Sequence, residues 1–262
     1  MELNKIYNMD CLEGLKLLED NSVDLTVTSP PYDDLRKYKG YSFDFEGIAR
    51  ELYRVTKDGG VVVWVVSDKT EKGSETLTSF KQALYFKEIG FLMYDTMIWR
   101  KPNPSVPTEG RYYNAFEYMF VLSKGKPKSL NFICDKENKT YGSTYKSDSK
   151  MNPEIRKQSE RSKTVGKYSR RHNVWDIPIG SNKTKHPAVF PEQLANDHIL
   201  TWSNEGDLIL DPFVGSGTTP KMAKLNGRNY IGFDITKEYC DIAEERIMAI
   251  WVNKKKEKKL IE

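Results

Sequence analysis

Two hydrophobic rhythms alternate along the chain. Residues 5–8 read as a short strand, Leu12, Leu15 and Leu18 recur at helical spacing, and residues 23–28 form a strand pattern ending at Ser29-Pro30-Pro31. Phe45, Ile48, Ala49 and Leu52 mark one face of a helix that Gly59-Gly60 should stop, and the apolar residues 61–66 then predict a strand buried on both faces. Phe80, Ala83 and Leu84 predict the next helix. Residues 91–99 and 116–122 follow as strands, separated by a loop at 101–111 that holds three prolines. From residue 192 the alternation resumes with a helix at 192–200, a buried strand at 207–210, a glycine turn, a helix at 219–226 and a strand at 230–233. A last helix is lined by Tyr239, Ile242, Ala243, Ile247 and Ile250. Strands alternating with helices predict an α/β fold, a mostly parallel sheet with helices on both faces.

Composition and charge change this picture in one region. The chain has 262 residues, 38% hydrophobic and 12% aromatic, enough to bury a core without disulfides and too apolar for a solvated tail protein. Its longest apolar run, residues 60–66, is far short of the about 20 residues that span a bilayer, and no export leader is visible, so a cytoplasmic location is expected. Cys11, Cys134 and Cys240 lie more than a hundred residues apart, and His172, His186 and His198 show no helical ligand pair, so no metal is expected. The net charge is +4, but residues 124–185 carry 16 Lys or Arg against 6 Asp or Glu, a local +10 that leaves −6 for the rest. Basic residues there interleave with Tyr141, Tyr145 and Tyr168, which suits a polyanion whose bases stack; a solvated linker is the plain alternative. The run from Lys254 to Lys259 is expected to fray into solvent.

Two strings carry chemistry. The first, residues 208–219, is a buried strand running through Asp211-Pro212-Phe213-Val214-Gly215-Ser216-Gly217-Thr218 into a helix. Gly215 and Gly217 let the backbone approach a ligand, and Asp234, at the end of the next strand, can accept hydrogen bonds from a ribose. A third glycine and a following GKS or GKT are missing, which disfavours a dinucleotide or triphosphate. Asp211 would sit awkwardly beside a phosphate and suits a cationic or zwitterionic ligand. The second string is Thr28-Ser29-Pro30-Pro31-Tyr32. Its prolines lack ladder donors, so the chain must leave the sheet at its carboxyl edge, where α/β sheets place active sites. There the Ser29 hydroxyl and the prolyl carbonyls are acceptors for an amino group, and Tyr32 offers a flat ring.

Together the strings resemble the beta class of DNA amino methyltransferases, whose D-P-F-x-G-x-G-T-T and S-P-P-Y motifs both stand here intact. Further matches are residues 8–11, Trp99-Arg100-Lys101-Pro102 and residues 186–191. The resemblance implies a circularly permuted Rossmann-like methyltransferase fold. It divides the chain into a catalytic half at 1–123, a basic target-recognition region at 124–185, a cofactor half at 186–253 and a basic tail at 254–262. The last helix should return to the first strand.

The same resemblance implies S-adenosylmethionine as cofactor and double-stranded DNA as substrate, with transfer to the exocyclic amine of a flipped base. Serine at position 29 favours cytosine N4 over adenine N6. It implies Ser29, Pro30, Pro31 and Tyr32 as catalytic residues. The implied cofactor set is Asp10 near the adenine, Asp234 at the ribose, Phe190 as a wall, and Asp211, Pro212, Phe213, Gly215, Gly217 and Thr218 around the methionine part, with Cys11 and Thr28 beside them. Lys167, Arg170 and Arg171 are the expected DNA contacts. The plain alternative for Asp10 and Asp234 is a helix cap, and for Phe190 ordinary core. Members of restriction-modification systems act beside a cognate restriction endonuclease, which the resemblance adds as a candidate partner. A non-catalytic DNA-binding module and an RNA methyltransferase are the competing readings.

Overall fold

The computed structural model describes residues 1–31, 43–104, 110–146, 162–179 and 191–259. In chain order the elements are β1 (Lys5–Asn8), α1 (Cys11–Lys16), β2 (Val23–Thr28), α2 (Phe45–Val55), β3 (Thr56–Val66), a small hairpin of β4 (Thr70–Glu71) and β5 (Ser74–Glu75), α3 (Thr78–Glu88), β6 (Leu92–Arg100) and β7 (Phe116–Ser123). Then come β8 (Lys136–Glu137), β9 (Thr144–Lys146), β10 (Ser162–Thr164), β11 (Tyr168–Ser169) and β12 (Val174–Asp176). The chain closes with α4 (Glu192–Trp202), β13 (Leu208–Asp211), α5 (Thr218–Leu225), β14 (Asn229–Asp234) and α6 (Lys237–Lys259).

Eight strands form the main sheet in the order β1-β14-β13-β2-β3-β7-β6-β12, and β7 alone among them runs antiparallel to its neighbours. The fold is the expected permuted α/β arrangement: α6 packs on β14 and β1, so the last helix returns to the first strand. β3 shows how the core is split. Val62, Trp64 and Val66 join the cluster built with α1, α2 and α3, while the alternate residues Val61, Val63 and Val65 are buried on the opposite face. On that second face α4 packs against β2 and β3, and α5 against β13 and β14.

Three elements depart from the pattern in the sequence. α2 ends at Val55, four residues before the glycines, because β3 begins at Thr56, whose hydroxyl bonds the Leu52 carbonyl at 2.6 Å. The expected apolar face of α3 is turned outward: Phe80 and Leu84 are 45% and 68% exposed, and Ser79, Gln82 and Phe86 are buried instead. Those polar groups are matched, since Trp64 Nε1 donates to Gln82 Oε1 at 2.8 Å and Ser79 donates to Asp68, so hydrogen bonds offset the cost of burying them. The third is β12, which the basic stretch conceals. Trp175 is buried there and stacks on His198 of α4 at 4.5 Å, while Trp202 Nε1 donates to His198 Nδ1.

Residues 132–172 form a second compact unit, leaving the rest of the basic stretch in the first. The unit is two antiparallel pairs, β8 with β11 and β9 with β10. Within it Arg171 is ion-paired with Asp135, which holds that carboxyl below the usual range, Arg170 lies over the Phe132 ring at 4.3 Å, and Lys167 lies over Tyr168 at 5.3 Å. The basic run at 254–259 lies within the bounds of α6.

Candidate active site

β1, β14, β13 and β2 lie side by side and parallel, so their carboxyl ends open on one edge. From β13 the chain crosses through α5 to β14 on one side, and from β2 through α2 to β3 on the other. The direction of winding reverses between β13 and β2, which is where a crevice forms in an open α/β sheet. Asp10 follows β1, Asp234 ends β14, Asp211 ends β13, and Ser29, Pro30 and Pro31 follow β2. Residues 183 positions apart are thereby joined: Thr28 Oγ1 donates to Asp211 Oδ1 at 2.7 Å. Tyr32 and Phe190 lie outside the described residues.

Asp211 is 1% exposed. Burial lifts its carboxyl to about 6, although bonds from Thr28, the Phe213 N–H and Thr219 all favour the charged form. Asp234 is also shifted upward by burial, with backbone donors opposing the shift. Its Oδ2 accepts the Gly215 N–H at 2.9 Å and its Oδ1 the Thr236 N–H at 2.8 Å, so it anchors the glycine turn. With the Thr236 hydroxyl also bonding it, the carboxylate uses three of its about four acceptor sites and keeps room for a ligand hydroxyl. Asp10 caps α1, with Oδ1 accepting from Leu12 and Glu13. The thiol of Cys11 is buried and shifted strongly upward by that burial and by Asp10, which leaves it inert.

The glycines divide the work of the turn. Gly215, at φ 50°, is half-buried on the turn between Val214 and Gly217, closed by Gly217 N–H to the Val214 carbonyl at 2.9 Å. Gly217, at φ 81°, instead makes room for α6, since a Cβ there would stand 2.6 Å from that of Ala243. Thr218, the first residue of α5, is 3% exposed, and its hydroxyl has no hydrogen-bond partner among the described residues. Phe213 packs on Phe43 and Trp64, which ties the turn to the α1–α3 face.

Sequence patterns did not reveal a set of side chains behind the turn. Arg246 of α6 donates through one guanidinium nitrogen to both the carbonyl and the hydroxyl of Ser216, and through the other to Glu192 Oε1 at 2.7 Å. Lys221 of α5 reaches the same Glu192 oxygen at 2.6 Å. Burial alone would raise the Glu192 carboxyl, but the two cations outweigh it and hold it low. The matched string Trp99-Arg100-Lys101 makes contacts within the fold: Trp99 donates to the Ile177 carbonyl, Arg100 pairs with Asp176, and Lys101 pairs with Glu117.

A family described as DNA methylase matches residues 23–245. The orphan methyltransferase M.BamHII of Bacillus amyloliquefaciens is 57% identical over 241 residues, covering 87% of this chain and 89% of its own. The solved PvuII DNA methyltransferase (cytosine-N4-specific) shares the fold with a TM-score of 0.67 at 21% identity, covering 92% of this chain and 85% of the other. A putative DNA modification methylase of Thermus thermophilus, complexed with S-adenosyl-L-methionine, has a TM-score of 0.62 at 26% identity, covering 93% of this chain and 92% of the other.

Proposed function

This chain belongs to the DNA methylase family and is an S-adenosylmethionine-dependent DNA methyltransferase, and on that premise we propose that it methylates the exocyclic amine of a flipped base, cytosine N4 in preference to adenine N6, at the carboxyl edge of β13, β14 and β2. The observation that carries this reading is the Thr28 to Asp211 hydrogen bond, which sets the Ser29-Pro30-Pro31 turn beside the glycine turn. Neighbouring strands stand about 4.8 Å apart, so an amine held at one turn is within a molecule's length of a methyl donor held at the other.

The residues suit a zwitterionic cofactor. The buried Asp211 carboxylate costs free energy without a cation beside it, which an α-ammonium would supply, and the unmatched Thr218 hydroxyl at the start of α5 suits an α-carboxylate. Asp234 would take ribose hydroxyls and Asp10 would border the adenine, joined by Phe190 as a wall. When bound, S-adenosylmethionine supplies a methyl group activated by its sulfonium.

The chain's own task is to make a poor nucleophile react. The lone pair of an exocyclic amine is delocalised into its ring. The Ser29 hydroxyl and the Pro30 carbonyl accept hydrogen bonds from its two N–H groups and favour the pyramidal nitrogen of the transition state. Pro30 is buried and Ser29 half-buried, so these acceptors sit where water competes weakly. Pro31 stiffens the turn, and Tyr32 stacks on the base, which must leave the duplex because its amine is otherwise paired. Serine at position 29 is what favours cytosine.

Residues 132–172 are proposed to bind DNA, with Lys167 and Arg170, both exposed, as phosphate contacts; Arg171 is committed to Asp135 and supports the unit. Transfer of labelled methyl groups to duplex DNA, titrated against salt, tests the function and this surface together. Transfer is expected to fall steeply with salt through weakened binding, and Lys167→Ala with Arg170→Ala should reduce the slope of log affinity against log salt by about two. Absence of transfer to DNA would overturn the function, and an unaltered slope would place the phosphate contacts elsewhere.

A further inference from the structure

Resting on the reading that the glycine turn holds the methionine part of the cofactor, we propose that Arg246, itself held by Glu192, which Lys221 also pairs, is a positioning residue that sets cofactor affinity from outside the pocket. Ser216 lies between the two glycines and is 3% exposed, and both its carbonyl and its hydroxyl accept from Arg246. With glycine on either side, the turn has wide intrinsic backbone freedom, and every degree of freedom left open must be frozen when a ligand binds. The turn is already pinned elsewhere: Val214 N–H on the Phe233 carbonyl, Gly215 N–H on Asp234, Gly217 N–H on the Val214 carbonyl, and Gly217 against Ala243. Arg246 adds the carbonyl side of the peptide linking Ser216 to Gly217, whose N–H side the Val214 carbonyl already holds.

The guanidinium is suited to this because its planar fork bonds in two directions at once. One nitrogen faces Ser216 and the other Glu192, in the first turn of α4, while Lys221 of α5 meets the same carboxylate oxygen. Three helices thus hold one peptide group in place. Arg246 and Lys221 side chains are 18% and 23% exposed, so their ion pairs are only partly screened by solvent.

The test is calorimetry with two probes on the full chain: S-adenosylhomocysteine, which carries the amino-acid end, and methylthioadenosine, which lacks it. Arg246→Met is expected to weaken S-adenosylhomocysteine about tenfold while methylthioadenosine changes less than twofold. In turnover, KM for S-adenosylmethionine should rise by a similar factor with kcat near wild type at saturation. Glu192→Gln should give a smaller loss of the same kind, and Arg246→Lys should recover part of the affinity, which keeps the test open if the methionine variant folds poorly. Equal loss for both probes, or a lowered melting temperature with unchanged affinities, would reduce Arg246 to a structural role and overturn the proposal. Failure of the wild-type protein to bind either probe would instead sink the assignment of the turn to the cofactor.

Discussion

Replacing Asp211 with Asn is expected to make the cofactor-free protein more stable and to weaken S-adenosylmethionine binding by about a hundredfold. Thr28 and the Phe213 N–H both bond Oδ1, an acceptor that Asn retains, and the Thr219 hydroxyl, which donates to the Val27 carbonyl, keeps a lone pair for the new amide, so the change removes charge and largely keeps the geometry. The wild-type carboxyl titrates at about 6 in the fold against an ordinary value of 3.8. A group whose pKa is raised by folding adds most to stability below its unfolded value, and that contribution is lost as pH rises through the folded value. Asp211 therefore costs little below about pH 4 and its full penalty above pH 6, on the order of 3 kcal/mol at most. The Asn variant should be stabilised by about 2 kcal/mol at pH 8 and not at pH 4, because its own amide donors recover only part of the difference. Cofactor binding should suffer in the opposite sense, since the ammonium loses its counter-charge, and wild-type affinity should itself decline as pH falls below about 6. Melting curves at several pH values, paired with calorimetry, check both halves. A variant that is less stable at pH 8 and still binds tightly would show that Asp211 is not the ammonium's partner.

Tyr32→Ala should lower turnover on duplex DNA by tenfold to about a hundredfold while the cofactor dissociation constant changes less than twofold. Stacking of a base on an aromatic side chain is worth about 1–3 kcal/mol, and a flipped base depends on it to offset lost stacking in the duplex. The substitution leaves the glycine turn, Asp211 and Asp234 untouched, which is why the two readouts should separate. Steady-state kinetics on a duplex together with cofactor titration makes the comparison. Unchanged turnover would remove Tyr32 from the base-holding role.

How far the sequence reveals this protein depends on the range of the interaction. β2 stands where its pattern places it, because Val23, Leu25 and Val27 alternate with polar residues at strand spacing and Ser29-Pro30-Pro31 cannot continue a ladder. The glycine turn was equally legible, its motif being contiguous. The end of α2 was not, since Gly59 and Gly60 look like a stop but lie inside β3, where the Gly59 N–H donates to the Lys124 carbonyl. Periodicity also misplaced the buried face of α3, because a buried Gln82 is tolerable only through Trp64, a partner that a helical window cannot see. β12 is three residues long, and it is fixed by Arg100 to Asp176 and Trp99 to Ile177, pairs separated by 76 and 78 positions. The same holds at the site. Asp211 was visible as an acidic residue in a motif, but its attachment to Thr28 and the support of Ser216 by Arg246 are products of the assembled sheet and helices.

The central claim, methylation of an exocyclic amine, is tested most directly by the chemical identity of the product. Duplex DNA incubated with the protein and S-adenosylmethionine, then digested to nucleosides and resolved by mass spectrometry against standards, should contain N4-methylcytosine. N6-methyladenine would keep the amine chemistry of the Ser29-Pro30 turn and move the target base. A product of 5-methylcytosine, or DNA left unmodified by folded protein that binds the cofactor, would contradict the account.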